Sequence, residues 1–112
     1  MNKSIFFVLY FFLNLCSVNS FGQSKTYVPD DSFENYLELI GLGDGVVNDS
    51  VNTSSISLVS ALNINSLSIS DLTGISSFTN LTILICNNNQ ITSLDLTNNL
   101  NLHNLNVSDN NL

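Results

Sequence analysis

Apolar and asparagine positions return at a fixed interval over the second half of the chain. Five positions match at an offset of 21 residues: Leu81, Leu84, Cys86, Asn89 and Ile91 align with Leu102, Leu105, Val107, Asn110 and Leu112. An earlier copy matches at an offset of 22, aligning Val59, Leu62, Ile64, Ile69, Leu72 and Phe78 with Leu81, Leu84, Cys86, Ile91, Leu94 and Leu100. This copy lacks only the asparagine, because Leu67 stands there. The shared unit is L-x-x-L-x-[L/C/V]-x-x-N, and such a period indicates a repeat architecture.

Apolar residues alternate at the centre of each unit, which is strand spacing with one face turned inward. We therefore predict strands near Ala61–Ile64, Ile83–Cys86 and Asn104–Val107, stacked in parallel. A finer period lies inside the complete repeat, where Ile91, Leu94, Leu96 and Asn99 copy the spacing of the first half. It predicts a shorter strand near Leu94–Leu96 on the opposite side.

Asparagines fill the turn that follows each predicted strand. A chain that turns this often leaves backbone N–H and C=O groups pointing inward, and buried groups of this kind need partners. An asparagine side chain donates and accepts at once, so we predict a structural ladder of Asn89, Asn99 and Asn110. The alternative role for an asparagine here is that of a solvent-exposed turn residue. It suits the asparagines that do not occupy the repeat position: Asn87, Asn88, Asn98 and Asn111.

Residues 23–57 predict an N-terminal cap. The stretch PDDSFENYLELIGLG indicates a helix over about 30–41, with Asp30 or Asp31 at its N-terminus and a glycine end. Its buried stripe is predicted to be Phe33, Tyr36, Leu37 and Ile40. A helix in this place can cover the first layer of a repeat array. The polar loop behind it contains Asp44, Asn48 and Asp49, whose spacing does not fit a calcium loop, so no metal is expected.

Residues 1–22 resemble a secretory signal. Lys3 precedes an apolar stretch from Ile5 to Leu15, too short to span a membrane, and Ser20-Phe21-Gly22 suits signal peptidase. A buried helix is a weaker alternative. A lipoprotein signal would use Cys16, but Leu15 before it is not small. Cleavage after Gly22 would leave a secreted or cell-surface chain with Cys86 as its single cysteine and no membrane span.

Charge narrows the possible partners. Without residues 1–22 the chain has one base, Lys25, against nine acids, so nucleic acid and anionic lipid are not expected as partners. Catalysis has little support as well. Alternation turns Cys86 inward and the single histidine, His103, outward, and no phosphate loop or metal-ligand cluster is present. We expect no enzyme and no cofactor.

The segment LTILICNNNQITSLDLTNNLNLHNLNVSDNNL resembles the leucine-rich repeat proteins of the short-repeat, internalin-like type found on bacterial surfaces. The resemblance covers roughly Leu58 to Leu112, and VPDDSFENYLELIGLGDG is similar to the segment that precedes such repeats. It implies a right-handed curved solenoid, mostly β with short parallel strands on the concave side and an N-terminal capping helix. It also implies protein binding or adhesion. The sequence departs from the pattern at Leu67, which fits an atypical end repeat.

Two functions remain open for residues 58–112, which stop within a repeat and suggest a fragment. One is a binding module for a protein or glycan outside the cell. The other is a structural spacer in a larger surface protein, and a non-catalytic part of a secreted enzyme is less expected. The predicted concave face comprises Ala61, Asn63 and Asn65, then Ile83, Ile85 and Asn87, then Asn104, Asn106 and Ser108. The pair Ile83 and Ile85 favours binding, whereas the neutral neighbours favour a spacer.

Overall fold

A computed structural model describes residues 23–112. The predicted signal, residues 1–22, lies outside the described part. The elements in chain order are strand β1 (Lys25–Tyr27), helix α1 (Asp31–Leu39), strand β2 (Ser50–Asn52), the short helix α2 (Thr53–Ile56), strand β3 (Ala61–Asn63), a 3-10 turn (Ile75–Ser77), strand β4 (Ile83–Ile85) and strand β5 (Asn104–Asn106).

Strands β3, β4 and β5 form a parallel sheet in that order. Leu62, Leu84 and Leu105 lie in register, so the 21- and 22-residue offsets are both kept in space. Leu62 and Leu84 are buried, whereas Leu105, on the last strand, is exposed. The three predicted strands and their parallel stacking are confirmed, and each strand ends one residue earlier than predicted.

The predicted strand at Leu94–Leu96 is wrong, because residues 92–96 have no regular secondary structure. The Asp95 carboxylate accepts hydrogen bonds from the backbone N–H and the hydroxyl of Thr97, at 3.0 and 2.7 Å. Such a local bond replaces the partner that a strand would supply. The half-repeat spacing therefore indicates which side chains turn inward, Leu94 and Leu96, but it does not indicate a second sheet.

The alignment of Phe78 with Leu100 is also wrong. Leu81 N–H donates to the carbonyl of Phe78, and Leu102 N–H donates to that of Asn99. Asn99 is therefore the spatial equivalent of Phe78. Leu100 is 85% exposed, whereas Phe78 is buried. The return segment of the second repeat is one residue shorter than that of the first.

Helix α1 begins and packs much as its sequence predicts. The Asp30 carboxylate accepts from the Phe33 N–H at 3.0 Å, which is an N-cap bond. Phe33 and Leu37 are fully buried, Tyr36 is half-buried and Ile40 is exposed. The buried stripe is therefore narrower than predicted, because the helix ends at Leu39, before Ile40.

The polar loop that we expected over residues 43–55 contains structure that the pattern did not show. Strand β2 pairs antiparallel with β1, with Thr26 opposite Val51, and helix α2 follows it directly. Each strand has three residues, which is too short for alternation to be read. Their partners lie about 25 residues apart, so local spacing gives no sign of the pairing.

The N-terminal segment and the first repeat share one hydrophobic core. The Phe33 and Phe78 rings stack with centroids 6.1 Å apart. The second oxygen of the Asp30 carboxylate accepts from the N–H groups of Ser70 and Asp71, at 2.9 and 3.1 Å. Gly74 (φ 107°) lies against the carbonyl of Tyr27, where a Cβ would come within 2.8 Å. The helix N-cap thus also fixes the repeat beside it.

Candidate functional site

The outer face of the parallel sheet, which we name the sheet face, carries the predicted binding residues. Its nine positions come from the three strands and the residue two beyond each strand: Ala61, Asn63, Asn65, Ile83, Ile85, Asn87, Asn104, Asn106 and Ser108. Strand alternation turns Leu62 and Leu84 inward and leaves these nine side chains outside. The structure therefore brings all the predicted binding residues onto one surface.

Ile83 and Ile85 form the apolar centre of the sheet face. Ile83 lies between Ala61 and Asn104 in register, and Ile85 between Asn63 and Asn106. Both isoleucines are half-buried, so they are less exposed than the sequence alone suggested. None of the nine positions carries a charged side chain. The sheet face is a small apolar patch inside a neutral, hydrogen-bonding border.

Two of the border asparagines are held by their own turns. The Asn106 side-chain oxygen accepts from the N–H and hydroxyl of Ser108, at 3.1 and 2.8 Å. The Asn63 side-chain oxygen accepts from the Asn65 N–H at 3.2 Å. These bonds fix the direction of each amide and leave its NH₂ group free to donate. The face therefore presents donors in set positions.

Behind the sheet face, Asn89 is nearly buried and makes five hydrogen bonds to backbone. Its Oδ1 accepts from the N–H groups of Leu67 and Ile69, at 3.1 and 3.0 Å. Its Nδ2 donates to the carbonyls of Ile64, Cys86 and Asn87, at 2.9, 3.0 and 3.3 Å. Asn89 thus supplies hydrogen-bond partners to backbone groups at a turn of the preceding repeat and at the turn of its own repeat.

Asn110 repeats this arrangement one turn later. Its Oδ1 accepts from the Ile91 N–H at 3.0 Å, and its Nδ2 donates to the Cys86 carbonyl at 2.9 Å. Asn99 lies at the other corner, where its Nδ2 donates to the carbonyls of Ile75 and Phe78, at 2.9 and 3.2 Å. Asn99 Oδ1 is buried without a hydrogen-bond partner in the described part of the chain. The structure therefore places the three predicted ladder asparagines at two different corners.

A further pair of asparagines links the repeats at the surface, and sequence reasoning missed it. Asn80 Nδ2 donates to the carbonyl of Ser57 at 2.7 Å, and Asn101 Nδ2 donates to that of Thr79 at 3.4 Å. Both asparagines directly precede a repeat leucine, Leu81 or Leu102. The asparagine-leucine pairs, 21 residues apart, were the signal that could have found them.

Glu34 is a second feature that the sequence did not reveal. It is completely buried, and its carboxylate accepts from the N–H groups of Asn48, Asp49 and Ser50, at 2.8, 2.8 and 3.2 Å. Three donors aimed at one carboxylate can offset the desolvation of its charge. Glu34 therefore holds the loop that leads into β2, in addition to following the N-cap of α1.

The polar loop is not arranged as a cation site. Lys25 Nζ lies 3.0 Å from the Asp44 carboxylate and 2.7 Å from the Asn52 side-chain oxygen. The hydrogen bond from Lys25 is the main cause that lowers the pKa of Asp44, supported by the backbone N–H of Val46. Asp44 is thus already paired with a protein cation. Within residues 23–112, no group of three or more His, Cys, Asp or Glu could hold a metal ion.

The two residues considered for catalysis, Cys86 and His103, differ in exposure to solvent. Cys86 is a free, fully buried thiol, and burial raises its pKa, so the reactive thiolate is disfavoured. His103 is exposed, and its Nδ1 lies 3.3 Å from the carbonyl of Asn101. Cys86 directly follows β4, at the repeat position that Ile64 and Val107 occupy beyond β3 and β5, and it fills a core position of the repeat.

No helix in the described part of the chain has both the length and the apolar character needed to cross a membrane.

The parallel strands at 21- and 22-residue intervals define a leucine-rich repeat protein, and the last two of them are each followed by an inward-bonded asparagine, Asn89 or Asn110. The chain is 35% identical over 81 residues to internalin J of Listeria monocytogenes serotype 4b (strain F2365), which covers 70% of this chain and 9% of that relative. It is therefore homologous to the internalins, and its repeats are internalin-like. No profile of a known protein family matches it.

Solved structures agree with this assignment. An internalin F of Listeria monocytogenes 4b F2365 superposes with a TM-score of 0.66 at 28% identity, over 75% of this chain and 25% of that chain. The functional domain of Listeria internalin J, which includes a cysteine ladder, gives 0.57 at 32% identity, over 70% and 18%. A structure of two domains of Clostridium perfringens ZmpB gives 0.57 at 19% identity, over 72% and 17%, and shows the fold alone. The chain thus spans a small part of each relative.

Proposed function

We propose that this chain is a non-enzymatic leucine-rich repeat module that binds a protein outside the cell through the sheet face. The observation that carries the proposal is the half-buried pair Ile83 and Ile85, set in a neutral border of side chains with fixed amides. Homology to internalins supports the class of a surface protein-interaction module. The signal-like residues 1–22 support export to the cell surface or the medium.

The centre and border of the face have different roles in this proposal. Burying the remaining exposed area of the two isoleucines would contribute about 0.5–1 kcal/mol each. That is a modest sum, so the amide donors of the border would supply direction and specificity. An apolar centre with a polar border is the arrangement of a protein-protein contact, which favours a protein ligand over a glycan.

The proposal includes the overall form of the protein. The stacked repeats would form a curved solenoid with the sheet face on its concave side, and the segment 23–57 would be its N-terminal cap. Support comes from the shared core and from Asp30, which bonds both α1 and the first repeat. Leu62, the inward residue of β3, is buried, as the first layer beneath a terminal unit must be.

Site-specific photo-crosslinking tests where the ligand binds. A photoreactive amino acid at Asn106, an exposed position of the sheet face, should form a crosslink with a protein partner. The partner is sought among the surface proteins to which the producing cells attach. The same group at Thr97, which is exposed on the return segment, is the matched control and should trap none. Crosslinking at Thr97 alone would contradict the proposal.

The affinity for the trapped partner then tests the isoleucines. The double variant Ile83→Thr/Ile85→Thr keeps β-branched side chains and should weaken binding about tenfold, from roughly 1.4 kcal/mol of lost apolar contact. Because both residues are half-buried, we expect a small fall in Tm as well. Leu58→Thr/Leu100→Thr, at exposed positions off the face, is the control. Unchanged affinity would favour the spacer, which the neutral Asn and Ser border also fits.

A further inference from the structure

The end of helix α1 and the loop after it carry several exposed apolar side chains. Leu39 is 82% exposed, Val46 59%, Val47 49% and Ile40 43%. We name residues 39–47 the acidic lobe, for the charges that surround it. Large apolar side chains grouped at the surface of a soluble protein mark an interaction surface more often than isolated ones do.

The acidic lobe is folded around one carboxylate, that of Glu38. Its two oxygens accept from the N–H groups of Asp44 and Gly45, at 2.9 and 2.8 Å. The Leu42 N–H bonds back to the Leu37 carbonyl at 2.8 Å, and a Cβ at Gly43 would collide with the Glu38 carboxylate. Leu39 and Ile40 directly follow Glu38, and the two valines directly follow Gly45. The four apolar side chains therefore come from one short segment that the Glu38 carboxylate holds together.

Charge around the lobe is mainly negative. Residues 30–50 contain six acids and no lysine or arginine: Asp30, Asp31, Glu34, Glu38, Asp44 and Asp49. Two of these acids contribute less to the surface charge, because Glu34 is completely buried and Asp44 is paired with Lys25, the only lysine or arginine in residues 23–112. The net charge that remains is negative, and it favours a positively charged ligand.

The same charge argues against two other occupants. An anionic membrane would be repelled by the net negative charge of this segment. A second copy of the chain offers two bases and nine acids in all, so it cannot supply the complementary charge. A protein segment that carries lysine or arginine beside apolar side chains satisfies both the charge and the exposed leucine, isoleucine and valines.

We propose that the acidic lobe is a second interaction surface, separate from the sheet face, which docks a basic and partly apolar protein segment. The lobe belongs to the N-terminal segment, whereas the sheet face belongs to the repeats. Binding at the lobe therefore does not depend on the function proposed for the sheet face.

Two synthetic peptides of the same amphipathic pattern test the proposal, one of leucine and lysine and one of leucine and glutamate. The full chain should bind the lysine peptide and not the glutamate peptide. Val46→Ser/Val47→Ser should weaken binding at least about tenfold, from loss of the apolar contact. Leu58→Ser/Leu100→Ser, at apolar positions outside the lobe that are more exposed than the two valines, should change it less than about twofold. Leu39→Ser is an independent second variant in the lobe.

One further measurement separates the lobe from general attraction to an acidic protein, and a second tests the contribution of charge. Amide shifts induced by the lysine peptide should centre on residues 39–47. Raising the salt from about 0.05 to 0.5 M should weaken binding, because charge supplies part of it. Equal losses in the lobe and control variants, or equal binding of the glutamate peptide, would overturn the proposal. A dimer in sedimentation that Val46→Ser/Val47→Ser abolishes would also overturn it, since a second copy would then be the occupant.

Discussion

Replacing Asn89 with alanine should destabilise the protein more than any other single asparagine substitution. Five backbone groups bond to its amide, but two of them have other partners. The Cys86 carbonyl also accepts from Asn110, and the Asn87 carbonyl accepts from the Ser66 N–H. The carbonyl of Ile64 and the N–H groups of Leu67 and Ile69 would be left without the partner that Asn89 supplies.

The magnitude follows from these three groups. A buried polar group that loses its partner costs about 1–3 kcal/mol, and entry of water at the half-buried Leu67 would reduce the sum. We therefore expect a loss of about 3 kcal/mol in the free energy of unfolding. For a domain of this size, about 3 kcal/mol corresponds to a fall in Tm of roughly 12–24 °C.

The control substitution has to be chosen by the backbone φ angle of the asparagine as well as by its exposure. Asn88 is exposed, but its φ is 56°, and alanine in the left-handed region costs about 1 kcal/mol. Asn88→Ala is therefore not neutral. Asn98 is exposed and is absent from the left-handed residues, so Asn98→Ala should stay within about 0.5 kcal/mol of the wild type.

Urea unfolding followed by circular dichroism would measure these differences. Asn89→Asp sharpens the test, because it keeps the acceptor for Leu67 and Ile69 but turns an oxygen towards the carbonyls of Ile64 and Cys86. It should be no more stable than Asn89→Ala at neutral pH. A loss below about 1 kcal/mol for Asn89→Ala, or equal midpoints for Asn89→Ala and Asn98→Ala, would refute the idea that buried backbone groups require this amide.

Three further predictions concern other parts of the structure. Asp30→Asn should lower the free energy of unfolding by about 1–2 kcal/mol, since an NH₂ group would face two N–H donors, whereas the exposed Asp31→Asn should change little. Glu34→Gln should speed amide hydrogen exchange at residues 48–50, and unchanged exchange there would contradict the role of its carboxylate. Cys86 should react with a thiol reagent only as fast as the protein unfolds, and rapid labelling of native protein would show that the core position is wrong.

The sequence predicted the strands well because their signal is repeated. Leu62, Leu84 and Leu105 each stand in the same local pattern, so one period fixes the positions and the register of three strands. Leu94–Leu96 copies that pattern only once within the chain, and its neighbours Asp95 and Thr97 bond to each other instead of to another strand.

What the sequence did not predict depends on contacts between distant residues. The pairing of β1 with β2 involves two strands of three residues, about 25 positions apart. Glu34 lies in the first turn of α1, where an acid is common, and only the path of residues 48–50 shows why it is buried. The partial exposure of Ile83 and Ile85 likewise depends on the side chains that the neighbouring strands place beside them.

The ladder asparagines all bond backwards along the chain, and this gives the array a direction. The Asn89 amide bonds to backbone groups of residues 64, 67 and 69. The Asn99 amide bonds to those of 75 and 78, and the Asn110 amide to those of 86 and 91. The corner groups of one repeat therefore obtain their partners only when the next repeat has been laid down. In a chain synthesised from its N-terminus, each arriving repeat would lock its predecessor and remain loose itself. Unravelling would proceed in the reverse order, so amide exchange should be fastest in the last turn and slow stepwise towards helix α1.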